Sequence, residues 1–302
     1  MKKQNQLSRI GSVLSVLLAA SVFLSACSGT AANSGANSSA SAASNAPASS
    51  AQSKPVTVKI GTTSDEPRVW NAVQAELDSE GANIKIETIN LTGGEPNKAL
   101  AEGEVDLNAF QHYAYFNKNK EELKLDLTAI GDTLIVPLNL FSKKHKSLEE
   151  LPNGAQIAIP DDPTNQGRAL NVLKNAGLIK LNEKAGNNAL IKDVTENPKN
   201  IKFVEITGAQ LPRSLQDVDA AIINCGYAVD SGLDPVKDPI YKDDIDLKNP
   251  EQQPFINLIA ARTADKDNPA YLKIVEAYHT QRVADAIAEV YSNAAVPAFE
   301  VK

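Results

Sequence analysis

One stretch, Ile157 to Leu181 (IAIPDDPTNQGRALNVLKNAGLIKL), concentrates the residues that could do chemistry. Ile157, Ala158 and Ile159 form a short apolar run stopped by Pro160, which fits the end of a buried strand. Asp161 to Gln166 read as a polar loop. From Arg168, the residues Ala169, Leu170, Val172, Leu173 and Ala176 recur at helical spacing, and Gly177 suits the C-terminal cap. The loop therefore brings Thr164, Asn165 and Arg168 to a helix N-terminus, where exposed N–H groups and the helix dipole favour an anion. A guanidinium added there makes a carboxylate site. The competing reading is that Arg168 only solvates a surface helix, since helix-start arginines are common and surface ion pairs are weak.

A second cluster, Phe110-Gln111-His112-Tyr113-Ala114-Tyr115, falls where a strand is expected to end. Aromatic residues there serve core packing or line a ligand pocket. Asn224 closes a buried run, Asp219 to Asn224, and either caps the next segment or faces a ligand. Cys225 reads as a small buried hydrophobe rather than a reactive thiol. Enzymatic motifs are missing: the chain has no GxSxG, HExxH or P-loop sequence, and Asp243, Asp244 and Asp246 lack the glycine of a calcium loop. His112, His145 and His279 are too scattered for a zinc set. These absences weigh against an enzyme, and neither a cofactor nor a resident metal is expected.

The elements that must position these residues alternate. VTVKI (Val56 to Ile60) reads as a strand and 67–79 as a helix with Val69, Trp70, Val73 and Leu77 on one face. Gly81 stops that helix, and Ile84 to Ile89 is a second strand. A helix near Lys98 to Glu102 and a third strand near Val105 to Ala109 follow, an order that implies a parallel sheet with ligands at its carboxyl strand ends. Leu134 to Ser142 and Phe255 to Arg262 read as a strand pair linking two lobes. Between them Ile157, Ile201 to Ile206 and Ala220 to Asn224 alternate with helices in an inserted second lobe. Helices at Pro269 to Val283 and Ala284 to Tyr291 end the chain.

The N-terminus reads as an address. Lys2, Lys3 and Arg9 precede an apolar core from Ile10 to Leu24, and Leu24-Ser25-Ala26-Cys27 resembles a bacterial lipobox, with Cys27 the lipidation site. The core is too short to span a bilayer comfortably. Acyl chains on Cys27 would hold the protein at a membrane surface, with Ser28 to Lys54, rich in Ser, Ala, Asn and Gly, as a flexible tether. The expected organisation is a signal peptide at 1–26, lipidated cysteine and tether at 27–54, a first lobe at 55–138 plus 263–302, and a second lobe at 139–262. The expected location is the cell envelope, anchored on the extracytoplasmic side. Formal net charge is −7, and losing three basic residues with the signal peptide makes it −10, which argues against a nucleic-acid partner. With Cys27 modified, Cys225 has no disulfide partner within a monomer.

Several runs carry a family resemblance: FQHYAY (110–115), FSKKHKSLEELPNGAQIAIPDDPTNQGRAL (141–170), KNAGLIKL, ENPKNIKF (196–203), AQLPRSLQDVDAAIIN (209–224) and AVPAF (295–299). Over about residues 56–299 the chain resembles the NlpA/MetQ lipoprotein family, the substrate-binding subunits of methionine ABC importers. The resemblance implies an α/β, two-lobed periplasmic-binding-protein fold of type II. Each lobe would be a mainly parallel sheet flanked by helices, with ligand in the cleft. It also implies that Arg168 clamps the ligand carboxylate, that Phe110, His112 and Tyr115 line the side-chain pocket, and that Asn224 and Asn257 hold the ligand's backbone end. Asn165 and Tyr227 complete the candidate set. Implied partners are methionine, a membrane permease and its ATPase. The chain departs from the family pattern where Leu91-Thr92-Gly93-Gly94-Glu95 lacks an aromatic, where Cys225-Gly226 follow Asn224, and where Ala114 replaces a frequent proline. A missing ring would widen or soften the pocket. Methionine is the first ligand expected, a Met-containing dipeptide or another apolar amino acid the next, and a surface lipoprotein or adhesin without transport the remaining alternative.

Overall fold

The computed structural model describes residues 54–91 and 95–302. The signal-peptide, tether and Cys27 expectations, and Thr92 to Gly94, lie outside the described residues. The chain begins with β1 (Val56–Thr62), α1 (Arg68–Ser79), β2 (Ile84–Asn90), α2 (Glu95–Glu102), β3 (Leu107–His112), α3 (Tyr113–Leu123), β4 (Leu127–Asp132) and β5 (Leu134–Ile135). It then runs through β6 (Leu138–Phe141), β7 (Gln156–Pro160), α4 (Pro163–Asn175), β8 (Lys180–Leu181), β9 (Val194–Glu196), β10 (Lys202–Ile206), α5 (Leu211–Ser214), β11 (Ala220–Asn224), α6 (Cys225–Asp230) and β12 (Pro239–Tyr241). It closes with β13 (Asn257–Arg262), α7 (Pro269–Tyr278), α8 (Gln281–Val290) and β14 (Val296–Pro297).

Two five-stranded sheets carry the two lobes. The first has the order β2-β1-β3-β13-β4 and the second β10-β7-β11-β6-β12. In each, four strands run in one direction and a single strand, β13 in the first and β6 in the second, runs antiparallel to its neighbours, so the sheets are mixed but mainly parallel in direction. Burial explains which residues form which strands. In the first lobe β1 alternates at its start, burying Val58 and Ile60 against the buried face of α1, which is Val69, Trp70, Val73 and Leu77. In the second lobe β7 and β11, covered on both faces, are almost continuously apolar.

The long strand read at Leu134 to Ser142 is split. Val136 and Pro137 interrupt it, because proline offers no N–H to a ladder. Its first part, β5, pairs with β14, and its second, β6, lies between β11 and β12. The stretch Phe255 to Arg262 pairs with β3 and β4, not with Leu134 to Ser142. Residues 257–262 therefore belong to the first sheet. Of the terminal helices, α7 stops at Tyr278 rather than 283: the ring of His279 meets the carbonyl of Asp132 at 2.7 Å, and Thr280 starts a new helix in extended conformation.

Candidate functional site

The carboxyl ends of β1, β3, β7 and β11 converge on one cavity of about 380 Å³ between the two sheets. All eight candidate binding residues named from the sequence border it: Phe110, His112, Tyr115, Asn165, Arg168, Asn224, Tyr227 and Asn257. They come from both lobes, so the cavity is walled by elements far apart in the chain.

The helix carrying Asn165 and Arg168 starts earlier than its apolar pattern suggests. Asp162, in extended conformation, is the N-cap and Pro163 is the first helical residue. The Asp162 carboxylate accepts from the backbone N–H of Asn165 at 2.9 Å and from the Thr164 hydroxyl at 2.8 Å, and Pro163 has no N–H to give. The helix start is thus occupied by its own acid, and Arg168 sits in the second turn. A carboxylate of the chain itself thus stands where an anion was expected, and the Arg168 guanidinium is the charged group left to meet one.

Asn165 ties the lobes together. Its amide nitrogen donates to Asp162 at 2.9 Å, which turns its oxygen outward. That oxygen accepts from the Asn224 amide at 2.9 Å and meets His112 Nε2 at 3.2 Å. His112 Nδ1 accepts from the Tyr115 backbone N–H at 3.1 Å, so the bonding pattern assigns the proton to Nε2. The ring is buried, and that burial, with Arg168 nearby, depresses its pKa to about 4. A neutral imidazole is the result. It stands edge-on to Tyr115 at 6.5 Å and to Phe255 at 5.3 Å between ring centroids, and Phe110 stands edge-on to Tyr115 at 6.0 Å. The Tyr115 phenol is pushed up to about 12, by burial first and by the Asp162 charge next.

Arg168 is 5% exposed, far from the solvated surface residue of the competing reading. Its Nη2 donates to the Val136 carbonyl at 2.7 Å and to Asp243 at 2.9 Å, and its guanidinium lies 4.8 Å from the centre of the Phe255 ring. Cys225 is buried, and desolvation raises its thiol to about 12 against the opposing pull of Arg168, as an inert core residue requires. Across the mouth, the Ser64 hydroxyl donates to Asp230 at 2.7 Å, and Tyr227 meets the Thr63 side chain.

Sequence reasoning missed Asp162, Asp243 and Phe255 as parts of this site. Asp162 carried a readable signal, an acid before proline three residues ahead of the helical run's polar start. Asp243 and Phe255 carried none, since each meets Arg168 from a distant segment.

Among the described residues no helix is long and apolar enough to cross a membrane. The sequence profile of the NlpA lipoprotein family matches residues 58–299. The D-methionine-binding lipoprotein MetQ of Escherichia coli K12 is 39% identical over 249 residues, covering 81% of this chain and 89% of that protein. A nutrient-binding protein of Burkholderia cenocepacia, solved bound to methionine, superposes with a TM-score of 0.73 at 41% identity over 80% of this chain and 100% of its own. The substrate-binding protein of a methionine transporter from Streptococcus pneumoniae gives 0.74 at 37% identity, covering 80% of this chain and 96% of its own. Two mixed sheets flanked by helices, a shared cavity and these similarities agree, and the chain belongs to the NlpA lipoprotein family.

Proposed function

We propose that this protein captures methionine in the cavity between its lobes and delivers it to the permease of an ABC importer, doing no chemistry on it. The observation that carries this reading is the cavity wall itself. A buried guanidinium suits a carboxylate, the Asn165–Asn224 amide pair suits a ligand's polar end, and Phe110, His112 and Tyr115 offer an apolar, neutral surface for a thioether. Sulfur against ring edges contributes about 0.3 to 1.5 kcal/mol, enough to tune choice but not to supply affinity. The charged end supplies more, because a carboxylate–guanidinium pair strengthens when closure excludes water. The relative solved with methionine supports the same ligand class. Lipid on Cys27 would keep the binding domain at the membrane face from which the permease takes ligand, which the mass of the mature N-terminal peptide tests.

Calorimetric titration with methionine, a Met-containing dipeptide and other apolar amino acids tests the function. Saturable binding of methionine, lost in Arg168→Ala, is the expected result. That variant also strands the Asp243 carboxylate, so it should unfold more easily by about 3 kcal/mol or more. Binding of equal strength in Arg168→Ala, or none by the wild type for any of these ligands, overturns the reading.

A further inference from the structure

Arg168 is the one cation bordering the main cavity among the described residues, whereas Glu66, Asp161, Asp162 and Asp230 border it as acids. Yet Arg168 does not face the cavity with its full charge. Asp243, from the segment after β12, pairs with Nη2 at 2.9 Å, and both side chains are largely buried. Asp243 is held firmly: Asn139 of β6 accepts from its backbone N–H at 2.9 Å and donates to the Pro235 carbonyl at 2.9 Å. Its carboxylate also accepts from the Leu138 N–H at 3.2 Å. It borders a smaller cavity of about 90 Å³ behind Arg168, apart from the main one. Among the described residues Arg168 is its only ion-pair partner.

We propose that Asp243 is a specificity-determining residue of this cleft: by offsetting the Arg168 charge from behind, it makes the cleft take ligands as zwitterions and hold a bare carboxylate only weakly. The inference rests on the amino-acid-binding reading above. Two effects of removing the acid compete. One is loss of orientation, because the fork loses an acceptor. The other is loss of charge balance, because a carboxylate bound on the cavity side no longer feels a like charge across the guanidinium. Orientation is secured independently by the Val136 carbonyl and by the Phe255 ring under the guanidinium, and an asparagine at 243 keeps an acceptor for Nη2 and for Leu138. The charge effect therefore dominates in Asp243→Asn. It is strong here because the pair is desolvated, where like charges repel more than in water.

The test is calorimetry on Asp243→Asn and wild type with three ligands: methionine, 4-(methylthio)butanoate, which lacks the amino group, and methioninamide, which lacks the carboxylate charge. In the variant, 4-(methylthio)butanoate should bind about tenfold or more tighter than in the wild type, while methioninamide, a cation, binds equally or more weakly. Asp244→Asn, an exposed neighbouring acid, should move neither, which separates this effect from overall net charge. Should the asparagine variant not fold, Asp243→Ser is read against the same criteria. Unchanged or weaker binding of 4-(methylthio)butanoate, or an equal shift for methioninamide, overturns the proposal alone. A wild type that does not bind methionine overturns the functional reading and this inference with it.

Discussion

His112 shows how one residue's surroundings decide what it can do. Its two ring nitrogens are committed, one to the Tyr115 N–H and one to the Asn165 oxygen, and the nearby Asp162 charge offsets only part of what burial and Arg168 do to the ring. Burial holds its pKa near 4, below the ordinary value of 6.5 that the unfolded chain has. The sign follows: above pH 6.5 neither state is protonated there and stability is full. Between 6.5 and about 4 the unfolded chain takes up a proton that the folded protein refuses, so stability falls as pH falls and levels off below. The full loss attached to this residue is about 3 kcal/mol. Urea unfolding of wild type and His112→Gln from pH 7.5 to 4 checks it: the wild type should lose that much more than the variant across the range, and parallel curves would refute the buried neutral ring. The histidine was legible in the sequence as a pocket candidate, because its place beside aromatics at a strand end could be read locally. Its tautomer was not, since that depends on Asn165, 53 residues away.

At the scale of elements, α4 is the clearest case of a pattern read correctly in kind and wrongly in extent. Its buried face, Ala169, Leu170, Val172 and Leu173, and its stop, with Gly177 at a φ of +73°, were visible as apolar spacing and a cap. Its start was hidden because proline and asparagine, common in loops, here fill the first turn. Pairings between strands were the other blind spot: β13 and β6 look alike in composition, but which sheet each joins is set by non-local contacts that no window of sequence contains. Gly167 makes the packing of α4 testable. A Cβ there would lie 2.2 Å from the Asn187 carbonyl oxygen and 3.2 Å from that of Ala189, so the kinked 3-10 segment Glu183–Asn188 is seated directly on the helix. Backbone cannot swing aside as a flexible side chain can. Gly167→Ala should cost about 2 kcal/mol or more by chemical denaturation, although alanine is the better helix former. It should also weaken methionine binding, because Arg168 is the next residue. A variant as stable as wild type would show that the 183–188 segment is not seated there.

For the whole molecule, function depends on how the lobes are held across the cavity. The first lobe supplies Thr63, Ser64 and His112 to that seam, and the second supplies Asn165 of α4 and Tyr227 and Asp230 of α6. These contacts exist only with the lobes together, so they favour the closed arrangement without adding to either lobe's own core. Their strength must be modest. The Ser64–Asp230 bond is exposed, and water competes for both partners, which leaves a net contribution on the order of 1 kcal/mol. A modest seam suits a carrier: it assists closure around a ligand yet yields when the ligand is handed on. Ser64→Ala combined with Tyr227→Phe removes the two hydroxyls and, with the first, the acceptor for the Glu66 N–H at 3.1 Å, a local contact within the first lobe. The expected outcome is an unchanged unfolding midpoint without ligand, to within about 1 kcal/mol, and methionine binding weaker by about tenfold, with the loss appearing as faster dissociation. Stopped-flow displacement measures that rate directly. If the double variant released methionine no faster than wild type, the seam would play no part in closure, and the grip would have to come from the cavity wall alone.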